Sequence, residues 1–245
     1  DVEQAIRRDI YQEAKDLVVI VCDVAGGGGG DETVVYAMTV GKIIHGSEDY
    51  SRTADFMRTT LPLMIAHRNK YKAHLHIVDQ DGIGDGLFKQ LRLMGETVIG
   101  IHSAGKPMDE VYRNIKAEMW YHAREQFKLG KCDIPNDPVL KRQLTTPMAF
   151  QTSTGKIQIE SKDDVRARTG ESHDRADAYV MGLYGQKKYN KDRIQIEAEV
   201  AKKQEEERFS KMTDMEQKVW GKLKEMQQQQ KRGRSPIDPI LGDDY

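Results

Sequence analysis

Apolar residues form short strand-like runs through the first hundred positions of this chain and fall into helical spacings after them. Val18-Val19-Ile20-Val21-Cys22-Asp23-Val24-Ala25 is a β-branched apolar run and predicts a buried strand over about 17–23. It ends in a carboxylate and enters five glycines, Gly26 to Gly30, which let the backbone turn with no Cβ in the way. A second strand is predicted over 33–40, a turn at Gly41-Lys42, and a third strand from Ile43, together a three-strand antiparallel meander. Ser51 is a plausible N-cap for a helix to about Asn69, with Phe56, Met57, Met64 and Ile65 toward the sheet and Pro62 as a kink point. His74 to Asp79 predicts a fourth strand, again ending in Asp, followed by a turn at Gly82, Gly84 and Gly86 and a helix to Met94. A fifth strand over 97–101 leads to a long helix from Pro107 to Phe127, ended by Gly130. A short helix after Asn136-Asp137-Pro138, a hairpin of 150–154 and 156–160, a helix capped by Ser161 and stopped by Gly170, and a helix from near Ser172 complete the pattern.

The order βββαβαβ followed by helices predicts an α/β domain with a mixed central sheet, antiparallel meander plus parallel strands, flanked by helices. The first and fourth strands are then neighbours. Their carboxyl ends bring Asp23 and Asp79 side by side, at the edge where open α/β sheets place their sites. Val2, Ile6, Ile10 and Tyr11 mark a lead-in helix or linker over 1–15, the domain spans 16–186, and 187–245 is a charged helical extension. Within that extension, 191–231 is nearly all charged residues and Gln, which predicts a solvated helix rather than a second core; Gln227 to Arg234, Pro236 and Pro239 predict a flexible tail.

Composition adds limits. The 245 residues suffice for one full core with an appendage. With 38 Lys and Arg against 39 Asp and Glu, any surface for a nucleic acid must be local. Cys22 and Cys132 stand far apart, with no metal-ligand spacing, and a reducing compartment suits them. No apolar run approaches the roughly 20 residues that cross a bilayer, and no signal-peptide pattern opens the chain. A chain that opens on Asp1 reads as a piece of a longer protein.

The candidate chemistry lies in Asp23, Asp79 and the pair Asp174/Asp177. Clustered carboxylates repel and need a cation to share their site. Oxygen ligands suit Mg²⁺ or Mn²⁺, and two such ions roughly 4 Å apart activate a water and stabilise the leaving oxygen of a phosphodiester. Asp174 and Asp177 are three residues apart, so both fit one helical face. Any one Asp after a strand is most simply a turn residue; two on adjacent strands, each entering a glycine turn, make the shared cation an equal reading. His173 is an acid/base candidate or a helix-start residue. Lys156, Lys162, Arg166, Arg168 and Arg175 are candidates for a DNA backbone, or pair with Asp163, Asp164 and Glu171. The glycine run reads as a hairpin connection in preference to a phosphate cradle. His74 and His76 share a strand face without a third zinc ligand. Gly100 to Lys106 matches most of a P-loop, but Pro107 stands where Ser or Thr holds the Mg²⁺, so it reads as a strand-to-helix turn.

These pieces resemble the C-terminal nuclease domain of the large terminase subunit of tailed bacteriophages. The matching stretches are Val21-Cys22-Asp23-Val24-Ala25 with Asp31-Glu32-Thr33; Ile77 to Gly86; Tyr112-Arg113-Asn114 with Ala117-Glu118-Met119-Trp120; Ile159 to Asp164; and Gly170 to Ala178. They run in the family's order over about 17–185. The family often has Pro where His173 stands, and the glycine run is long for it. The resemblance implies an RNase H-like fold and a two-metal endonuclease, using Mg²⁺ or Mn²⁺, that cuts concatemeric viral DNA into genome lengths. By position it makes Asp23, Asp79 and Asp174 catalytic metal ligands, with Asp177 an additional or alternative one. It implies double-stranded DNA, an N-terminal packaging ATPase domain absent from this chain, the portal protein and the small terminase subunit as partners, and the host cytoplasm as location. Two other readings stand beside it: a degenerate docking or regulatory module of the packaging motor, and, ranked low, one lobe of an actin-like ATPase.

Overall fold

Strand β1 (Val18–Asp23) is buried at every position, because it lies inside the sheet with helices on both faces. The computed structural model describes residues 1–13, 16–25, 31–52, 55–210 and 213. The glycine run and the tail from 214 onward, including the stretch read as flexible, lie outside the described residues. β2 (Thr33–Thr39) pairs antiparallel with β1, from Val18 opposite Thr39 to Asp23 opposite Val34. β3 (Lys42–Ile43) and β4 (Asp49–Ser51) both pair antiparallel with β2. β5 (Leu75–Asp79) runs parallel to β1, with Cys22 opposite Val78, and β6 (Val98–Ile101) runs parallel to β5. The sheet order is therefore β3-β2-β1-β5-β6, with β4 also on β2, the mixed α/β arrangement that the hydrophobic pattern predicts.

Strand alternation divides the core into two layers. Ile20 and Cys22 of β1 pack with Val35, Ala37 and Val78 under α2 (Thr60–Tyr71) and α3 (Gly84–Leu93), through Leu61, Met64, Leu87 and Leu91. Val19 and Val21 face the other way, with Tyr36, Met38 and Ile77, toward α4 (Ile115–Lys128) and the start of α7 (Asp174–Ser210). The chain divides into a compact unit of Asp1–Asn190 and a second of Lys191–Tyr245; the sheet and all the chemistry below belong to the first. Among the described residues no helix is long and apolar enough to cross a membrane.

The N-terminal segment is fastened to this unit. α1 (Val2–Ile6) buries Ala5 completely, Arg8 donates to the Cys132 carbonyl at 3.3 Å, and the Ile10 N–H donates to Asp133 at 2.9 Å. The helix stops at Ile6, and Tyr11 is exposed.

Three predicted helix starts are displaced: α3 begins at Gly84, inside the stretch read as a turn, and two others are moved by a tertiary pairing. Ser51 is the last residue of β4, opposite Thr33, and α2 begins only at Thr60, so Pro62 falls in its first turn, where a missing N–H costs nothing and no kink is required. Pro107 starts no helix. Residues 111–113 are held instead to the hairpin of β7 (Ala149–Gln151) and β8 (Ile157–Ile159): Ile157 N–H donates to Val111 and Arg113 N–H donates to Ile157, both at 2.8 Å. α4 then begins behind Asn114, whose side chain accepts from the Ala117 N–H at 3.0 Å. α5 (Pro138–Thr145) and α6 (Lys162–Thr169) begin as predicted, behind Asp137 and Ser161.

α7 approaches the sheet through glycine. A Cβ on Gly185 would meet three atoms of Ile77 at 2.5–2.9 Å. Gly185→Ala gains roughly 1 kcal/mol of helix propensity but forces a β-branched core residue to move, at about 1–3 kcal/mol. The expected net result is a lower melting temperature than the parent's, read by thermal denaturation.

Candidate metal centre

Asp23 closes β1 and Asp79 closes β5, and the parallel register that sets Cys22 opposite Val78 brings these next residues abreast. Asp174 is the first residue of α7 and Asp177 lies one turn on, so helix and sheet edge aim four carboxylates at one region. Asp23 is 6% exposed and Asp174 2%. Among them stands Lys162, the first residue of α6, whose Nζ lies 2.6 Å from Asp174 Oδ1 and 3.8 Å from Asp23 Oδ2. The Ser161 cap, whose Oγ accepts from the Asp164 N–H at 3.1 Å, fixes the helix start that carries it there.

A second set of groups holds the carboxylates in place. Asp174 Oδ2 accepts from the Glu32 N–H at 2.9 Å and from the Ser172 hydroxyl. The Trp120 indole N–H donates to Asp177 Oδ1 at 3.1 Å, and His173 Nε2 lies 3.3 Å from Asp177 Oδ2. Lys116 Nζ lies 3.1 Å from the same His173 nitrogen, and the other ring nitrogen, Nδ1, is buried with no hydrogen-bond partner. Asp79 Oδ1 accepts from the Asp81 N–H at 3.0 Å.

The charges respond to this crowding. Burial pushes the Asp23 carboxyl well above the usual carboxylate range; the Lys162 ammonium pulls it back, while Asp79, Asp177 and Asp174 push it further up. Burial raises Asp79 to about 6. Asp177 goes the other way: burial opposes its charge, but the Lys116 and Lys162 ammonium groups and the Trp120 N–H together hold it below the usual value. Lys162 is raised, because Asp23, Asp177 and Asp174 outweigh the cost of burying it. Burial lowers His173, which is a neutral ring near pH 7 beside Asp177.

Among the described residues no three Asp, Glu, His or Cys side chains stand in an arrangement that holds a metal ion, and the Lys162 ammonium lies where their charges converge. The donor set nonetheless fits a hard divalent cation. It is all oxygen, it carries four carboxylates against one inserted lysine, and the buried Asp174 Oδ1 already holds a cation, the Lys162 ammonium at 2.6 Å.

The five predicted DNA-contacting cations divide. Lys162 belongs to the carboxylate cluster. Arg166 is paired with Asp31; Arg168 grips Glu160 at 2.6 and 3.0 Å; Arg175 bridges Glu32 and Asp137, both at 2.8 Å, with its guanidinium 3.7 Å above the Tyr50 ring. Glu171, expected as a partner here, pairs with Arg142. Lys156 is half-buried in the hairpin turn. Arg52, Arg142, Arg166 and Arg175 nevertheless share with Asp31, Glu32, Glu171 and Asp174 the walls of a cavity of about 430 Å³ that opens beside the cluster.

Sequence reasoning did not single out Lys116, Trp120, Glu32 or Ser172 for the site. Lys116 and Trp120 are four apart on α4 and reach the His173–Asp177 pair from one face; that spacing was the available signal.

No family model matches this chain, and no curated protein matches it. Solved structures do. The nuclease domain of the large terminase subunit gp2 of bacterial virus Sf6 superposes with a TM-score of 0.63 at 18% identity, over 74% of this chain and 95% of that one. The chain has the fold of a large-terminase nuclease domain. The large terminase nuclease of thermophilic phage G20c, solved with bound magnesium, gives a TM-score of 0.53 at 14% identity over 70% of this chain and 82% of that one. The nuclease domain of Thermus phage P74-26 large terminase gives 0.52 at 14% identity over 74% and 90%. A variant of the Sf6 domain was solved with manganese and beta-thujaplicinol, at a TM-score of 0.64. The sequence resemblance and the terminase-nuclease fold thus point the same way.

A pH prediction follows for the metal-free protein. The Asp79 pKa is raised on folding, so its contribution to stability is fully present below 3.8 and is lost as pH rises through about 6. Asp79→Asn removes a charge that folding disfavours. In EDTA at pH 7 the variant is expected to be more stable than the parent by on the order of 2 kcal/mol, with the difference gone at pH 4. Melting curves across that range check it; equal stability at pH 7 would show that the charge is accommodated without cost.

Proposed function

We propose that this chain is the nuclease domain of a phage DNA-packaging terminase, a metal-dependent endodeoxyribonuclease that cuts concatemeric double-stranded DNA with little sequence preference. The observation that carries the reading is the convergence of two strand-end carboxylates, Asp23 and Asp79, with two helix-start carboxylates, Asp174 and Asp177, around Lys162. Asp23, Asp79 and Asp174 would hold a pair of Mg²⁺ or Mn²⁺ ions, with Asp177 as a further ligand. Such ions supply charge for the scissile phosphate and lower the pKa of the attacking water.

The chain's own residues do the rest. The Glu32 N–H and Ser172 fix one oxygen of Asp174 and turn the other, Oδ1, toward the position that the Lys162 ammonium holds at 2.6 Å, which a divalent cation would take. The Lys116 and Lys162 ammonium groups hold Asp177 ionised, and the Trp120 indole N–H orients it. Lys162 balances the cluster in the absence of metal. The arginines around the adjacent cavity hold a duplex by its phosphates, reading no bases, so cleavage is sequence-tolerant and leaves a 3′-hydroxyl and a 5′-phosphate. Partners in this reading are double-stranded DNA, the packaging ATPase domain, the portal protein and the small terminase subunit, with action in the host cytoplasm.

Supercoiled plasmid incubated with Mn²⁺ or Mg²⁺ tests it: nicked and linear forms are expected, and EDTA stops the reaction. A second reading, a docking module with a degenerate site, draws on the position of Lys162 and the lack of a ready three-residue metal geometry among the described residues. It requires that Mn²⁺ neither stabilise the protein to heat nor support cutting.

A further inference from the structure

We infer that a groove at the opposite end of the sheet from the carboxylates binds a tetrahedral oxyanion of the phosphate class. It has a volume of about 270 Å³ and is walled by the Val40–Gly41 turn after β2, by His122 and Gln126 of α4, by Lys131, and by Gln186 and Lys187 of α7. The two sites lie at opposite poles: Asp23 pairs with Val34, whereas Thr39, next to the groove, pairs with Val18. Along α7, Gln186 lies twelve residues, or about 18 Å, beyond Asp174.

The groove presents donors and no carboxylate. Lys131 and Lys187 are exposed, and among the described residues neither makes an ion pair. Gln186 is only 8% exposed, and its side-chain Nε2 is buried with no hydrogen-bond partner. A buried amide donor without an acceptor is costly and rare in folded proteins, and here it belongs to a residue of the groove wall that also carries Lys131 and Lys187. Burial, reinforced by the Lys187 charge, pushes His122 down to about 4, so at neutral pH it enters as an uncharged ring with one N–H to give. The turn at Val40–Gly41 brings no side-chain acceptor. What is missing is an anion that accepts from several directions. A tetrahedral oxyanion does this, and the space is below the roughly 300 Å³ at which pockets begin to take drug-sized ligands. The same phosphate chemistry is offered by the free ion and by the backbone of DNA. The inference is independent of the nuclease reading, since no residue of the carboxylate cluster takes part.

The test follows the Gln186 side-chain amide and the His122 ring by NMR in the full chain, as inorganic phosphate replaces chloride at constant ionic strength. Saturable shifts are expected at both, and Lys131→Ala/Lys187→Ala should weaken binding roughly tenfold or more. Melting curves verify that the double variant folds; if it does not, Gln186→Leu, which removes the donor at similar volume, takes its place. A second arm adds a short duplex in EDTA. Should the duplex move the same signals and inorganic phosphate compete, the natural source is DNA backbone; should it leave them unmoved while phosphate shifts them, the source is the free ion. Shifts that never saturate, or that are equal in parent and variant, overturn the proposal. Saturable phosphate shifts in a protein that does not cut plasmid, or cutting without such shifts, separate this test from that of the nuclease reading.

Discussion

Asp23→Asn is expected to slow metal-dependent plasmid cutting by at least about a thousandfold, while the protein stays folded. The substitution keeps the size of the side chain and removes one negative charge from the centre of the carboxylate cluster, where the residue is 6% exposed. In the proposed mechanism that charge draws the cation into the site and fixes it against the phosphate. Metal-ion stabilisation of transition-state charge is worth several kcal/mol, and each 1.36 kcal/mol is tenfold in rate, so losing about 4 kcal/mol gives the stated factor. The stability effect runs the other way. Burial and three neighbouring carboxylates already push Asp23 well above its usual range, so without metal its charge opposes folding. A neutral Asn relieves that opposition, and Lys162 keeps its partner at 2.6 Å in Asp174. The melting temperature in EDTA should therefore be equal to the parent's or higher. Activity lost with the fold retained identifies Asp23 as a ligand; a variant that cuts as fast as the parent removes it from the site, and one that unfolds shows it to be structural.

Asp23 and Asp79 were legible because both rules involved are local. A β-branched run reads as a buried strand, and parallel strands in an open sheet place their carboxyl ends together, so the pairing of Cys22 with Val78 is what those rules require. Asp174 and Asp177 were legible as a pair through helical spacing alone. The displaced helix starts were not. Ser51 is a sound N-cap and Pro107 a sound first-turn residue, but β2 takes Ser51 into an edge strand and the hairpin takes 111–113 into a bridge. Neither competitor is visible from the local sequence.

Charge partners were harder still. Arg166 meets Asp31 and Arg175 meets Glu32, more than 130 positions away, while the near neighbours Asp163 and Asp164 take no part. Lys162 shows the same limit most sharply. Its sequence context is a capped helix start rich in charge, which made it a candidate for the DNA backbone, and only the fold reveals that this helix start opens onto the ends of β1 and α7.

Lys162→Ala should therefore act in opposite directions with and without metal. In EDTA the lysine is the cation closest to Asp23 and Asp174, and the raised pKa of its ammonium reflects how strongly those carboxylates and Asp177 hold it. Breaking a fully buried ion pair costs about 3–5 kcal/mol. Lys162 is a third exposed and the abandoned carboxylates can take up a proton, so a loss of about 2 kcal/mol is expected here. A divalent ion needs the same oxygens, above all Asp174 Oδ1, and in the parent it must first displace the ammonium. Removing the lysine removes that competition, so Mn²⁺ should bind on the order of tenfold more tightly to the variant, and by linkage its melting temperature should rise further with Mn²⁺ than the parent's does. The cutting rate is a separate reading. It falls if the lysine also contacts the phosphate once displaced, and holds if its work ends when the metal arrives. Equal melting in EDTA and an unchanged Mn²⁺ response would place Lys162 on an ordinary surface and remove the charge balance from the account of this site.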